Sequence, residues 1–292
     1  MALSVDAGFG ELIETIRAKQ GEVESAAGHR ASIDAKLRSV FGSTALFRTG
    51  SFGNGTNVAG YSDVDYFAVI PVENLKADSA ITLDEVATAL RDRFPFTDIR
   101  INGPAVKVPF GLDGAEATEI VPVHHTGFTK LGFRQFDMPD GKGGWKFSAP
   151  ESHNAYVSAV DDKFSGKAKL LIRLLKAWKY YKNVPLKSFY LEIVTAAYAS
   201  AEKAIVYQLD IPRVMRLLLQ NGVTRVRDPR FPNDEMWLDP CATETQRKEI
   251  AEHLKRAVDW AEEAWVSEVA NDMEEAFDRW DLVYNWEFPT YI

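Results

Sequence analysis

The sequence GSFGNG at residues 50–55, followed by DVDYFAVI at residues 63–70, decides the fold of this protein. The second run is rich in β-branched and aromatic residues and stops before a proline, which is typical of a buried β-strand. Side chains two positions apart in a strand point to the same face, so Asp63 and Asp65 project together while Val64 turns into the core. Two adjacent carboxylates repel each other unless a cation lies between them, and Mg²⁺ combines such ligands with substrate phosphates. The spacing therefore predicts half of a magnesium site.

A third carboxylate on a neighbouring strand would complete a two-metal site, and Glu119 is the candidate. It lies in the run ATEIVPV at residues 117–123, where branched apolar neighbours indicate a core strand. A two-metal site activates an attacking hydroxyl and neutralises a leaving pyrophosphate. Asp63, Asp65 and Glu119 are thus the predicted catalytic and metal-binding residues.

Each part of this pattern also has a simpler interpretation. An Asp-x-Asp pair is common on solvated strand edges, and the Ser62-Asp63 step suits an ordinary turn before a strand. The glycine-rich run lacks the Gly-Lys-Ser/Thr ending of a P-loop. A strand rather than a helix follows it, which disfavours a dinucleotide-binding fold. The Gly-Ser turn, the paired aspartates and the later strand carboxylate are far more specific together than apart.

Apolar spacing predicts the elements around this stretch. Helices are expected over residues 10–40, 83–94, 166–183, 189–207 and, with a break, 243–282. Two strands, residues 106–108 and 117–123, flank a hairpin signal at residues 111–114. Residues 50–55 are expected to form a flexible loop, and residues 126–150, which are rich in glycine and proline, a crossover loop.

The order of these elements predicts an α+β protein with two lobes. Residues 1–150, with an N-terminal spine helix, would form the catalytic lobe, and residues 151–292 would form a helical lobe. The active site is expected in the cleft between the two lobes.

A basic helix and a serine follow in the second lobe. Lys169, Arg173 and Lys176 fall at i, i+4 and i+7, opposite an apolar stripe of the same helix. One interpretation is an ordinary amphipathic helix with a solvated basic face. The other is a phosphate clamp, because lysine provides a point charge. Ser188 begins the next helix, either as an N-cap or as a phosphate contact beside exposed backbone N–H groups.

Two stretches of the chain resemble known enzymes. Gly50-Ser51 through Asp63-Val64-Asp65 resembles the signature of the DNA polymerase β-like nucleotidyltransferases. The run from Lys169 to Glu192, preceded by Pro150-Glu151-Ser152-His153, resembles the second lobe of the CD-NTases, which are bacterial relatives of cyclic GMP-AMP synthase and oligoadenylate synthase. The resemblance covers most of the chain and implies a catalytic lobe with a mixed sheet and helices, followed by an α-helical lobe.

The resemblance implies a role for each matching residue. Asp63 and Asp65 would bind two Mg²⁺ ions, with Mn²⁺ as the alternative ion, and Glu119 stands where the family usually has Asp. The remaining implied contacts are with substrate: Gly50, Ser51, Lys176 and Ser188 with a triphosphate, Phe189 with a base, and His153 and Asn154 with the acceptor base. A core position for Phe189 and a helix-capping role for Asn154 are the structural alternatives.

The implied activity is synthesis of a cyclic di- or trinucleotide second messenger from ATP, alone or with a second nucleoside triphosphate, in bacterial anti-phage signalling. An effector protein encoded nearby would sense the product. Two alternatives stay open: a nucleotidyltransferase that modifies tRNA, protein or an antibiotic, and a catalytically silent regulator that binds nucleoside triphosphates.

Composition narrows the choice of partners. The chain has 34 basic and 42 acidic residues, and the net charge of −8 disfavours a protein that coats long nucleic acids. No run of 18 apolar residues occurs, so no membrane span is expected, and residues 1–9 lack the pattern of a secretory signal. The single Cys241 fits a reducing compartment. We therefore expect a cytoplasmic protein, and a monomer is the expected oligomeric state.

Overall fold

The chain divides into two compact units in a computed structural model. The structure describes residues 2–17, 20–111, 116–231 and 236–292, without the side chains of residues 20–27 and 116. One unit is Ala18–Ala155, called here the sheet unit. The other, the helical unit, consists of Met1–Arg17 and Tyr156–Ile292. Most of the predicted hairpin signal at residues 111–114 lies outside the described residues.

The described part of the chain contains ten α-helices and nine strands. The helices are α1 (Val5–Ile16), α2 (Gln20–Phe41), α3 (Gly50–Asn54), α4 (Ser79–Arg93), α5 (Pro150–Asp162), α6 (Lys167–Tyr181), α7 (Ser188–Ala201), α8 (Tyr207–Gln220), α9 (Glu244–Val269) and α10 (Met273–Tyr284). The strands are β1 (Ala45–Arg48), β2 (Val64–Val69), β3 (Arg100–Asn102), β4 (Ala105–Phe110), β5 (Glu116–Phe128), β6 (Arg134–Pro139), β7 (Trp145–Ser148), β8 (Val226–Arg227) and β9 (Trp237–Leu238).

A mixed sheet of seven strands organises the described part of the sheet unit. Its main path has the order β1-β2-β5-β4-β3, in which β2 and β5 are parallel and the other neighbours are antiparallel. The second half of β5 pairs with β6, and β6 pairs with β7. The strands predicted at residues 106–108 and 117–123 are confirmed as parts of β4 and β5.

Apolar side chains cover both faces of the central strands. On β2, Tyr66 belongs to a core shared with α2 and α4, whereas the next residue, Phe67, packs in a second cluster with Val121 and Phe136. A strand buried on both faces has a nearly continuous apolar sequence, as residues 66–70 do. The two aspartates precede this apolar run.

Two loop predictions are wrong. Residues 126–150 contain β6 and β7, because β5 extends past its pairing with β2 and offers a free edge to which β6 adds. Residues 50–54 form the single helical turn α3 rather than a flexible loop. Gly55 ends this turn with φ of +73° in the left-handed region, and its N–H donates to the Ser51 carbonyl.

The helical unit is built on apolar faces that include the first helix of the chain. Phe9 of α1 is buried and packs edge-on against Trp280, with ring centroids 4.8 Å apart. Helix α1 also contacts α6 and α8. The compact units therefore differ from the predicted division, because residues 2–17 group with the helical unit rather than with the remainder of residues 1–150.

The helix boundaries in the C-terminal half follow local signals. Helix α9 begins with a capping box, in which Thr243 and Gln246 exchange side-chain and backbone hydrogen bonds. The predicted break in the long C-terminal helix is confirmed between Val269 and Met273. Helix α8 occupies a stretch for which no separate helix was predicted. None of the helices in the described part of the chain is long and apolar enough to span a membrane.

Candidate active site

The turn between β1 and α3 holds the Asp65 carboxylate against its backbone. Gly50 has φ of +58°, and a Cβ atom there would overlap the carboxylate, 2.6 Å from Asp65 Cγ. The N–H of Thr49 donates to the Asp65 carbonyl at 2.8 Å and continues the pairing of β1 with β2. A side chain at position 50 would have to displace Asp65, so the Gly-Ser turn and this aspartate form one structural unit.

The three predicted carboxylates come to one region of the sheet. Val64 is buried in the core and the aspartates on either side of it are half-buried, as the strand alternation predicts. Asp65 lies opposite Glu119 in the parallel pairing of β2 with β5. Asp63, Asp65 and Glu119 thus lie close together beside the turn that begins at Gly50.

Two polar side chains that the sequence did not single out contact these carboxylates. Lys107 of β4 lies opposite Glu119, and its Nζ is 2.7 Å from Asp63 Oδ2. Asn102 Nδ2 donates to Glu119 Oε1 at 2.7 Å. The signal for Lys107 was present in the sequence, because a lysine between two core valines must face away from that core. Its partner depends on the register of three strands, which the sequence does not reveal.

The pKa of Glu119 depends on its burial and on the polar and charged side chains around it. Burial raises the pKa of Glu119 above its ordinary value. The Asn102 hydrogen bond lowers this pKa, the Asp63 charge raises it and the Lys107 charge lowers it. Repulsion between Glu119 and Asp63 is relieved by any cation placed near both.

The donor set suits a hard divalent cation. The candidate ligands are carboxylate oxygens, which Mg²⁺ and Mn²⁺ prefer. The Asp65 carboxylate is seated in a space that a Cβ at Gly50 would fill. Across the described ranges, no group of three or more His, Cys, Asp or Glu side chains is placed so that these side chains alone could hold a metal ion. The residues fit an open site that substrate oxygens would complete.

The first turn of α5 braces α3 from the side. Asn54 Nδ2 and His153 Nε2 lie 3.2 Å apart, and both side chains are buried. Asn154 Nδ2 donates to the Gly53 carbonyl at 3.5 Å. The structure therefore assigns His153 and Asn154 contacts that position the Gly-Ser turn, whereas an acceptor-base contact by either residue stays a prediction.

In the helical unit, Lys176 has a buried partner. Its side chain is 0% exposed, and its Nζ lies 2.7 Å from Glu192 Oε1 of α7, which is 5% exposed. The interpretation of a solvated basic face is therefore wrong for Lys176, although Lys169 and Arg173 are half-buried. Helix α6 packs against α7 on the side where Lys176 lies, so its ammonium faces protein rather than water.

The start of α7 carries the other two predicted contacts. The Ser188 hydroxyl lies 3.2 Å from the Tyr180 hydroxyl. Phe189 is 41% exposed, so the core interpretation is wrong, and the Arg230 guanidinium lies 5.1 Å from its ring centroid. Arg230 is held in turn by the buried Asp228, with Nε 2.9 Å from Oδ1. An exposed ring beneath a fixed guanidinium is a surface on which a planar group can stack.

A second lysine of α6 has an altered affinity for its proton. Burial lowers the pKa of Lys179 to about 8, and the charge of Lys176 contributes to the lowering. Lys179 Nζ lies 4.2 Å from the centroid of the Tyr180 ring. Nothing in the helical period of the sequence distinguishes Lys179 from a solvated residue.

Comparisons with known proteins place the chain among nucleotide synthases. Residues 3–160 match the family model described as SMODS, Second Messenger Oligonucleotide or Dinucleotide Synthetase domain. The CBASS oligonucleotide cyclase CdnC of Escherichia coli strain KTE188 is 25% identical over 270 residues, which cover 83% of this chain and 82% of the relative. A probable cyclic nucleotide synthase of Bacillus cereus strain VD146 is 30% identical over 80 residues, which cover 27% of this chain and 24% of that relative.

Solved structures confirm the predicted fold class. The structure of CdnC from E. coli MS115-1 with ATP has a TM-score of 0.76 at 17% identity, and the match covers 97% of this chain and 98% of that chain. Vibrio cholerae DncV cyclic AMP-GMP synthase, in complex with a linear intermediate, has a TM-score of 0.77 at 12% identity, with 96% and 94% of the two chains covered. The fold is that of a polymerase β-like nucleotidyltransferase with a helical lobe.

Proposed function

We propose that this chain, which belongs to the SMODS family of second messenger oligonucleotide or dinucleotide synthetases, joins nucleoside triphosphates into a cyclic di- or trinucleotide and releases pyrophosphate. Within the nucleotidyltransferases it is a bacterial CD-NTase, and its curated relatives are named as synthases or cyclases of such products. One observation carries the assignment of the site: Asp65 lies against Gly50 and opposite Glu119, so the Gly-Ser turn and the carboxylates are one unit.

The carboxylates would hold the catalytic cation. Asp63, Asp65 and Glu119 are the proposed ligands of Mg²⁺, or of Mn²⁺ as the alternative ion. When bound, the divalent ion would shield the triphosphate and lower the barrier to attack by the acceptor ribose hydroxyl. In each transfer an O–P bond forms at the α-phosphorus of the donor and the bond to pyrophosphate breaks. A linear intermediate would rebind and close by the same chemistry.

Each unit has proposed substrate contacts of its own. Gly50 and Ser51 are the proposed triphosphate contacts in the sheet unit, where the seated Asp65 carboxylate and the bracing Asn54–His153 contact support a fixed turn. Ser188 is proposed to bind the triphosphate in the helical unit, and Phe189 to stack on a base, which its exposure supports.

Two further predicted substrate contacts have partners within the protein. A triphosphate contact by Lys176 requires that its buried pair with Glu192 opens first. Asn154 is proposed as an acceptor contact from its place beside Gly53. Each would have to exchange its protein partner for substrate.

The product is proposed to act as a signal. A second messenger needs a receptor, so we propose a product-sensing effector protein as the functional partner, in anti-phage defence of the CBASS kind that the name of CdnC records. Because nucleoside triphosphates are cytoplasmic metabolites, the cytoplasm is the proposed site of action. A monomeric state stays a prediction.

The test is product identification with all four nucleoside triphosphates. The protein is incubated with Mg²⁺, and in parallel with Mn²⁺, and the phosphatase-treated products are analysed by mass spectrometry. A phosphatase-resistant cyclic product is expected. A variant carrying Asp63→Asn and Asp65→Asn should lose on the order of 10³-fold in pyrophosphate release, because the metal-dependent charge stabilisation is removed.

The matched control carries Asp84→Asn and Asp92→Asn, which remove the same charge from exposed positions of α4. This control should keep wild-type activity. Undiminished activity of the double variant at positions 63 and 65 would contradict the proposed site. Product formation only after addition of tRNA, protein or an antibiotic would contradict cyclic synthesis and favour the modifying enzyme.

A further inference from the structure

A row of charged side chains crosses the sheet at the proposed metal site. In the register of the central strands, Lys107 of β4 lies opposite Glu119 of β5, which lies opposite Asp65 of β2. Lys107 Nζ contacts Asp63 Oδ2 at 2.7 Å, and its charge also lowers the pKa of Glu119. The ammonium is therefore close to carboxylates from two strands, where a shared cation would lie.

The alternation of side chains along β4 determines the face of the sheet on which Lys107 lies. Val106 and Val108 are fully buried, so the alternation of β4 directs Lys107 to the carboxylate side. The neighbouring cation in the row, Arg100, is engaged by Asp98 instead. Position and pairing thus distinguish Lys107 from the other basic residue of this row.

We propose that Lys107 is an internal counter-cation: its ammonium neutralises the acidic pair of the metal-free enzyme and is displaced when a divalent cation binds. The proposal rests on the proposed function, since it takes Asp63 and Glu119 as metal ligands. Lys107 is a positioning residue in this account, because it keeps mutually repelling carboxylates together until the cation arrives.

Both the burial and the chemistry of the pair suit displacement. Lys107 and Asp63 are 36% and 31% exposed, so water screens the pair and weakens it. A lysine ammonium is a point charge on a flexible stem that can swing away, whereas an arginine would bind the carboxylate through two N–H groups and resist exchange. A divalent cation brings twice the charge to the same oxygens.

The test measures metal binding without turnover. Binding of Mn²⁺ to the full-length protein, in the absence of nucleotide, is titrated by electron paramagnetic resonance, and the melting temperature is recorded in EDTA. Lys107→Met should bind Mn²⁺ about 3-fold more tightly because its competitor is gone. Its melting temperature in EDTA should fall by about 1–2 °C.

Two matched variants separate displacement from a general change of charge. Lys107→Arg should restore the melting temperature in EDTA and bind Mn²⁺ no more tightly than wild type. Arg100→Met removes the same charge from the same row, without a contact to Asp63, and should change Mn²⁺ affinity less than Lys107→Met does.

The counter-cation proposal would be overturned if wild type binds Mn²⁺ and Lys107→Met binds it with the same or lower affinity. The proposed function would then still stand. An equal gain in Arg100→Met would overturn it too, because a general field effect would then suffice. If Mn²⁺ binding is the same in wild type and in the Asp63→Asn, Asp65→Asn variant, the metal site itself is wrong.

Discussion

Two ion pairs with the same nitrogen–oxygen distance, one in each unit, differ in how far they are exposed to water. Lys107–Asp63 in the sheet unit and Lys176–Glu192 in the helical unit are both separated by 2.7 Å. The first pair is about one third exposed, whereas Lys176 is fully buried and Glu192 nearly so. Water screens the first pair and leaves it exchangeable, while the second has no solvent to replace a lost partner. Burial, rather than distance, separates an exchangeable contact from a structural one.

The largest expected effect is a difference in stability between these two pairs. Lys176→Met removes the ammonium that pairs with the buried Glu192 carboxylate and should lower the free energy of unfolding by about 3–5 kcal/mol. Lys107→Met should lower it by only about 0–1 kcal/mol, because water can solvate Asp63. Urea unfolding monitored by tryptophan fluorescence measures the first change, since six of the seven tryptophans lie in the helical unit.

A second variant checks the cause. Replacing both Lys176 and Glu192 by apolar residues of similar volume should recover most of the stability that Lys176→Met loses, because no uncompensated charge remains. Circular dichroism, which reports the secondary structure of both units, gives the corresponding unfolding curve for Lys107→Met. Equal losses in the two single lysine variants would break the comparison.

The next effect in size concerns the geometry of the proposed active site rather than the stability of the protein. Gly50→Ala should lower kcat on the order of 100-fold, because its Cβ displaces the Asp65 carboxylate from its place. Gly55→Ala is the matched control: its φ of +73° imposes similar backbone strain, but no atom lies within 4 Å of the added Cβ.

Both alanine variants should lose about 1–2 kcal/mol of stability from the left-handed backbone conformation. Initial rates of pyrophosphate release and urea midpoints measure the two quantities separately. The same loss of kcat in both variants would show that strain, and not contact with Asp65, accounts for the glycine at position 50.

The last expected effect is a pH dependence beside the buried pair. The pKa of Lys179 is lowered to about 8 by burial and by the charge of Lys176, whereas the unfolded chain titrates near the ordinary value of 10.5. Between these pH values the unfolded state binds more protons than the folded state, so stability rises with pH. The stability of wild type relative to Lys179→Met should therefore increase from pH 7 to pH 10.

Urea midpoints of wild type and Lys179→Met at several pH values test this expectation, and the difference between them removes the titration of tyrosines and other lysines. A difference that stays constant from pH 7 to pH 10 would contradict the lowered pKa. A reversed trend would mean that the Lys179 ammonium is stabilised in the fold, for example by the Tyr180 ring.

In the sheet unit, the strands that local periodicity defines could be predicted from the sequence, and the strands that depend on distant contacts could not. The strand that contains Asp65 and the strand that contains Glu119 are both present, because branched and aromatic runs have few alternatives to a buried strand. Strands β6 and β7 were missed, since each depends on an edge supplied by another strand. Helix α3 was missed because its glycines favour flexibility until Asp65 packs against Gly50.

The sequence by itself determined that Asp63 and Asp65 face the same way, because side chains in a strand alternate with a period of two. It also determined that Lys107 faces away from the valines on either side of it. Only the tertiary structure decided what these side chains meet. The register of β4, β5 and β2 places Lys107 beside the acidic residues, and the packing of α6 on α7 buries Lys176 against Glu192. Periodicity is a property of neighbours in the chain, whereas register and burial arise from elements distant in sequence, so only the folded protein distinguishes the two lysines.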